Sequence, residues 1–153
     1  YRIEVYAKGM YKIVNRAMYI VNHWKYSQPK RMQRGYYDCS SLVWRAYSRY
    51  GTYFGARSYA PVAADICRWC MIHHKKVSGK MTEGQIQKMK FRAGDLIFKP
   101  GAKNGRYKGV YHVEMFTGYR VTGFTSKGKP VLSTEWANRT TGYDAYGSIV
   151  ERP

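Results

Sequence analysis

The hydrophobic pattern of this 153-residue chain changes from a helical period to a strand period near residue 94. Before that point, apolar residues at steps of three and four predict an amphipathic helix over residues 1–23, with Ala7 on its apolar stripe. Apolar runs predict further helices over 39–50 and 61–75. Beyond it, short apolar or alternating segments predict four strands: 96–98, 112–117, 130–137 and 147–151. Helices followed by strands joined by turns indicate an α+β fold with an antiparallel sheet.

Length and composition are those of one folded domain. The chain is 44% apolar, which argues against disorder, and its 153 residues can enclose a sizeable core. We therefore expect residues 1–153 to form a single domain. Because the chain begins at Tyr1 rather than Met, we also expect it to be part of a longer parent protein. No apolar run approaches the roughly 20 residues that a membrane-spanning helix needs.

The chain is strongly basic. It has 27 Lys and Arg residues against nine Asp and Glu, a formal net charge of +18. Such an excess attracts polyanions without specifying a fold. The basic residues are dispersed, so the charge does not choose between nucleic acid, anionic membranes and anionic cell-wall polymers.

The segment Tyr37–Val43 carries the best candidate for a nucleophile. Asp38 is a good N-cap, which places Cys39 in the first turn of the second predicted helix. At that position the free backbone N–H groups and the helix dipole favour a thiolate. Cys39 is therefore a nucleophile if a base lies nearby, and otherwise an inert small apolar residue.

A base for Cys39 must come from the four histidines of the chain. His23, His73 and His74 end predicted helices and are better explained as solvated helix ends. His112 differs because it opens a predicted strand, and a strand is a rigid support for a catalytic base.

Cys67 and Cys70 form a Cys-x-x-Cys motif followed by His73 and His74. These are the ligand types of a zinc site, but one helix supplies them all, whereas zinc usually draws its second ligand pair from another element. The favoured interpretation is two partly buried thiols, with a disulfide or redox pair and a metal site as alternatives. We expect no metal and no cofactor.

Three segments of the chain, Tyr37–Val43, Gly94–Phe98 and His112–Val113 with Gly118 after it, resemble a known family. They are similar, in order, to the Asp-Cys-Ser, Gly-Asp-Leu and His-Val blocks of NlpC/P60 cysteine peptidases. The resemblance extends over residues 5–151. It implies a papain-like fold, with the nucleophile helix packed against an antiparallel sheet, and a catalytic domain over residues 1–153. It also implies hydrolysis of peptidoglycan stem peptides, commonly at the D-glutamyl to diamino-acid bond.

The resemblance assigns roles to three residues of this chain. By position, Cys39 is the nucleophile and His112 the general base and acid. Tyr26 lies near the place of a family tyrosine that helps to form the oxyanion hole together with the Cys39 backbone N–H. The glycines that usually follow that tyrosine are replaced here by Ser27 and Gln28.

The third catalytic position departs from the family pattern, in which a histidine follows on the strand after the base. No histidine follows His112 in this chain. The polar candidates on the next predicted strand are Glu135 and Asn138, which alternation places on opposite faces. A carboxylate or an amide can orient an imidazole, and we select Glu135 because it lies mid-strand, with Asn138 as the alternative.

The sequence thus predicts a cysteine endopeptidase of peptidoglycan, which would act as a monomer outside the cell or in the cell wall, as a secreted bacterial enzyme or a phage-encoded lysin. Its basic surface would bind anionic wall polymers, with nucleic acid as the less favoured partner. The alternatives are a papain-like amidase, deamidase or acyltransferase, and a non-catalytic module that binds polyanions.

Overall fold

The computed structural model describes residues 2–6, 9–138 and 146–153. Within them the helices are α1 (Tyr11–His23), α2 (Cys39–Ser48), α3 (Ala63–Ile72) and α4 (Glu83–Gln87), with a 3₁₀ turn at Tyr107–Gly109. The strands are β1 (Arg2–Ile3), β2 (Lys25–Tyr26), β3 (Tyr36–Tyr37), β4 (Lys76–Ser78), β5 (Leu96–Lys99), β6 (His112–Phe124), β7 (Pro130–Trp136) and β8 (Ile149–Glu151). No helix in this part of the chain is long and apolar enough to cross a membrane.

The main sheet is antiparallel and is organised around β6, its longest strand. Along one edge β6 pairs first with β5 and then with β1, and its second half pairs with β7 along the other edge. Strand β8 pairs with the far side of β5, and β4 pairs with β8. His112, the first residue of β6, pairs with Lys99, the last residue of β5, and therefore lies at that end of the sheet.

The two faces of the sheet contribute to two apolar clusters because successive side chains of a strand point in opposite directions. Val113 and Met115 belong to the larger cluster, which includes the buried faces of α1, α2 and α3. Phe116 belongs to the smaller cluster, which includes Ile86 of α4. N-terminal helices packed on an antiparallel sheet confirm the α+β prediction.

The described residues before Tyr11, 2–6 and 9–10, do not form the predicted helix. Helix α1 begins only at Tyr11, and Ile3 instead pairs with Tyr119 of β6. Gly9 has a φ of +82°, a left-handed conformation that cannot belong to a right-handed helix. Sheet pairing at β6 therefore outweighs the apolar periodicity of this segment. Ala7, predicted on the helical stripe, lies outside the described residues.

The remaining predicted elements differ mainly at their ends. Helix α2 begins at Cys39 as predicted, and α3 begins at Ala63, two residues after Pro61. Strand β6 continues to Phe124, well beyond its predicted end. The short parallel pair of β2 and β3 lies between α1 and α2, in a segment for which no helix or strand was predicted.

The Gly94–Asp95 turn leads into β5 and is held by a buried carboxylate. Asp95 accepts a hydrogen bond from the backbone N–H of Arg92 at 2.9 Å. The guanidinium of Arg152 also binds both oxygens of Asp95, at 2.7 and 2.8 Å. The turn is thereby tied to the end of the chain.

Candidate active site

The start of α2 is a complete capping box around Cys39. The Asp38 carboxylate accepts a hydrogen bond from the Ser41 backbone N–H at 2.8 Å, and the Ser41 hydroxyl accepts one from the Asp38 N–H at 2.8 Å. Cys39 is therefore held in the first helical turn, as predicted, where the helix dipole favours a negative charge.

Arg31 ties this helix start to the two neighbouring loops. Its Nε lies 2.8 Å from the Asp38 carboxylate and its Nη2 donates to the Ser40 hydroxyl at 2.8 Å. The same guanidinium donates to the backbone carbonyls of Ala60 at 2.8 Å and Pro61 at 3.2 Å. The cap that positions Cys39 is thus itself held by a largely buried ion pair.

His112 lies between a thiol and a carboxylate. Its imidazole hydrogen-bonds the side chain of Cys39. Its Nε2 also lies 2.9 Å from Oε1 of Glu114, a side chain that is only 2% exposed. Because side chains two apart on a strand share a face, β6 presents Glu114 directly beside His112. The structure therefore brings the predicted Cys39 and His112 together.

The surroundings of His112 favour its charged form. Burial lowers the pKa of its imidazole, but hydrogen bonds to Cys39 and Glu114 and the negative charges of both groups more than compensate. The resulting pKa is about 9, against an ordinary value of 6.5. At neutral pH, His112 is therefore an imidazolium.

The parallel pairing of β2 with β3 places Tyr26 near the start of α2. Tyr26 pairs with Tyr37, two residues before Cys39, and their rings pack edge to face at 5.5 Å. The Tyr26 hydroxyl accepts a hydrogen bond from the Cys39 backbone N–H. Burial raises the pKa of Tyr26, as do the nearby charges of Cys39 and Asp38. Its phenol therefore keeps its proton at neutral pH.

Glu135 is not brought to His112. It lies opposite Gly118, six residues further along β6 than His112, which corresponds to about 20 Å along the strand. Its carboxylate forms an ion pair with Arg2 of β1 instead. The pairing register therefore separates Glu135, which was selected from the sequence as the residue that orients the imidazole, from Cys39 and His112.

Asn138, the alternative candidate, lies closer to this end of the sheet. The Ala137 N–H donates to the Met115 carbonyl at 3.0 Å, and the same register continued by one residue places Asn138 near Glu114. Its Nδ2 is buried and has no hydrogen-bond partner among the residues that the structure describes. Asn138 stays a prediction as the alternative third catalytic residue.

Sequence reasoning missed Glu114 and Arg31. The signal for Glu114 was a single carboxylate within an otherwise apolar strand, two positions after the candidate base. The signal for Arg31 was weak, since it is one of several basic residues in a long loop. Only the fold shows that its guanidinium meets Asp38.

The Cys-x-x-Cys motif lies on α3, outside this site. Cys67 and Cys70 are buried free thiols. Burial raises the pKa of Cys67 to about 12 and also raises that of Cys70, so both are protonated at neutral pH. Among the described residues, no three metal-ligating side chains are grouped so that they could hold an ion.

Comparison with known proteins supports the resemblance seen in the sequence. The model of the NlpC/P60 family matches residues 23–141, which include Tyr26, Cys39 and His112. A search of curated proteins finds no match. Together with helices packed on an antiparallel sheet, the family match confirms the papain-like fold. Proteins of this family are typically cell-wall peptidases.

Proposed function

The chain belongs to the NlpC/P60 family, and we propose that it is a cysteine endopeptidase that cleaves peptidoglycan stem peptides between D-glutamate and the diamino acid. The family implies a peptidoglycan substrate. The choice of bond and the action at the bacterial cell wall are part of this proposal.

The observation that carries the proposal is the contact of Cys39 with His112, whose other partner is the buried Glu114. With a His112 pKa of about 9, the imidazole is charged at neutral pH. In the proposed reaction Cys39 attacks as a thiolate beside this imidazolium.

Attack of the Cys39 thiolate on the stem-peptide carbonyl turns the carbonyl oxygen into an oxyanion. Two groups that contact each other at the start of α2, the Cys39 backbone N–H and the Tyr26 hydroxyl, are the donors that we expect to hold this oxygen. Since Tyr26 keeps its proton, its O–H can donate to the developing negative charge.

His112 then transfers its proton to the leaving amine, and an acyl-enzyme forms on Cys39. In the second half of the reaction His112 accepts a proton from water, which attacks the thioester and frees the enzyme. Glu114 holds the Nε2 side of the ring, which leaves Nδ1 for the thiol and stabilises the imidazolium. We therefore assign to Glu114 the orienting role first given to Glu135.

The alternative functions differ in the product that they release or in whether they require Cys39 and His112. An amidase, deamidase or acyltransferase would use the same Cys39 and His112 on another bond or acceptor. A non-catalytic polyanion-binding module would not require either residue. The +18 charge fits this last alternative, but a binding module does not account for a buried carboxylate placed beside His112.

Digestion of purified peptidoglycan tests the proposal. We expect the unmodified protein to release fragments with a new free amine on the diamino acid, detected by mass spectrometry, and Cys39→Ala to release at least about 10³-fold less. Cys67→Ala, which removes a thiol outside the site, is the matched control and should stay active. Release of other products would indicate one of the alternative reactions, and intact wall in every sample under reducing conditions would contradict the proposal.

A further inference from the structure

A concave site lies between the outer faces of α1 and α2, away from the start of α2 where Cys39 lies. It has a volume of about 180 Å³, and its walls are mainly cationic. The lining residues are Arg16, Trp44, Arg45, Ser48 and Arg49.

Two of these guanidinium groups are held against one indole. Arg16 and Arg45 lie 5.5 and 5.0 Å from the ring centroid of Trp24, at cation–π distance. Arg45 Nη2 also makes long hydrogen bonds to the carbonyls of Arg31 and Gln33, at 3.3 and 3.4 Å. The Nε atoms of Arg16 and Arg45 are buried, and neither has a hydrogen-bond partner in the described part of the chain.

The charges in this site are not balanced by carboxylates. Among the ion pairs of the described residues, none involves Arg16, Arg45 or Arg49. Burial lowers the pKa of Arg45, and so do the positive charges of Arg16 and Arg31. Like charges held together in a partly buried place are unfavourable unless an anion joins them.

We propose that this site binds the phosphodiester of an anionic polymer. Guanidinium groups present several N–H donors in a planar fork that matches phosphate oxygens, and the Ser48 hydroxyl adds a further donor. Among the described residues that line the site, none is a carboxylate that would compete with such a ligand for these donors.

The site favours a polyol phosphate of the cell wall over a nucleic acid. Its volume of about 180 Å³ suits one phosphate group with short substituents rather than a nucleotide. The Trp24 ring is occupied by two guanidinium groups, which hinders the stacking of a base on it.

The choice of a wall polymer rests on the proposed function, whereas phosphate binding does not. Arg45 lies six residues after Cys39 on the same helix, a rise of about 9 Å. A wall polymer bound there would keep the enzyme at its substrate without occupying the catalytic residues.

The test is a titration with soluble poly(glycerol phosphate) at constant ionic strength, followed by calorimetry. We expect Arg16→Gln combined with Arg49→Gln to weaken binding about tenfold or more, because each lost charge-assisted hydrogen bond contributes enough for such a change. The control is Lys127→Gln combined with Lys129→Gln, which removes the same charge from the remote turn between β6 and β7 and should change binding less than twofold. Equal weakening by both pairs would overturn the site in favour of diffuse attraction.

Further measurements separate this proposal from the catalytic one. Cleavage of a soluble stem peptide that carries no phosphate should be unaffected by the arginine substitutions. Binding to walls stripped of phosphate polymer should no longer depend on these arginines. If duplex DNA rather than poly(glycerol phosphate) responds to the arginine pair, the assignment to a wall polymer is overturned. If the double variant does not fold, Arg49→Gln alone, at an exposed position, serves in the same comparison. Arginine-dependent phosphate binding without any peptide cleavage would support this site and contradict the proposed function.

Discussion

At the scale of single residues, the chemistry of the site depends on which carboxylate faces the imidazole. Glu114 is two positions from His112 on the same strand, and its oxygen lies 2.9 Å from Nε2. Glu135 is bound to Arg2 instead. Two neighbouring groups, Cys39 and the carboxylate of Glu114, therefore raise the pKa of His112.

Glu114→Gln should move the alkaline limit of activity to lower pH. The imidazolium of His112 is lost as the pH rises through its pKa of about 9, and removal of the Glu114 charge lowers that pKa. We expect the descending limb of kcat/KM against pH to shift down by about one unit or more. Glu135→Gln is the matched control and should leave the descending limb of the pH profile unchanged. A shift caused by Glu135→Gln and not by Glu114→Gln would contradict the orienting role of Glu114.

At the scale of secondary structure, the start of α2 is positioned by contacts outside the helix. The capping box fixes the first turn locally, but Arg31 connects Asp38 with the carbonyls of Ala60 and Pro61. The position of Cys39 thus depends on a loop residue eight positions earlier in the chain.

Arg31→Met should lower the free energy of unfolding by about 3 kcal/mol, because it leaves the buried Asp38 carboxylate without its cation. Urea unfolding followed by circular dichroism measures this loss. Arg34→Met changes an exposed arginine of the same loop and should alter stability by less than about 0.5 kcal/mol. Similar losses in both variants would show that the ion pair of Arg31 has no special contribution.

At the scale of the whole molecule, the sheet encloses a carboxylate that is expensive to ionise. Glu151 of β8 is fully buried, and neither of its oxygens has a hydrogen-bond partner among the described residues. Burial raises its pKa to about 7, although the charges of Lys76 and Lys108 lower it. Cys67 and Cys70 of α3 lie close enough for its charge to raise their pKa values.

The protein should therefore lose stability as the pH rises from about 4.5 to about 7. In that range Glu151 ionises in the unfolded chain but keeps its proton in the folded one, so the folded state becomes relatively less stable, by up to about 3 kcal/mol. Unfolding curves at pH 5 and pH 7 measure the loss, and Glu151→Gln should remove most of it. This range lies below the pH at which His112, with its pKa of about 9, loses most of its own contribution. An identical pH dependence in the variant would contradict this role of Glu151.

Much of the site could be predicted because it depends on local chemistry. Asp38 caps a helix and Cys39 occupies its first turn whatever packs around them, since backbone N–H groups and the helix dipole act within one turn. A strand beginning at His112 followed from alternation, and the order of helices and strands indicated the α+β class.

The tertiary structure alone decided what depends on pairing between distant segments. The helical pattern of the first residues was overridden because Ile3 finds a strand partner in β6. Glu135 is placed beside Arg2 because one pairing register, set by the packing of the whole sheet, determines which side chains meet. The sequence by itself predicted Cys39 and His112 as the candidate nucleophile and base from their local surroundings. Only the fold decided that these two side chains meet and that Glu135 does not join them, because contacts between distant segments depend on the packing of the whole chain.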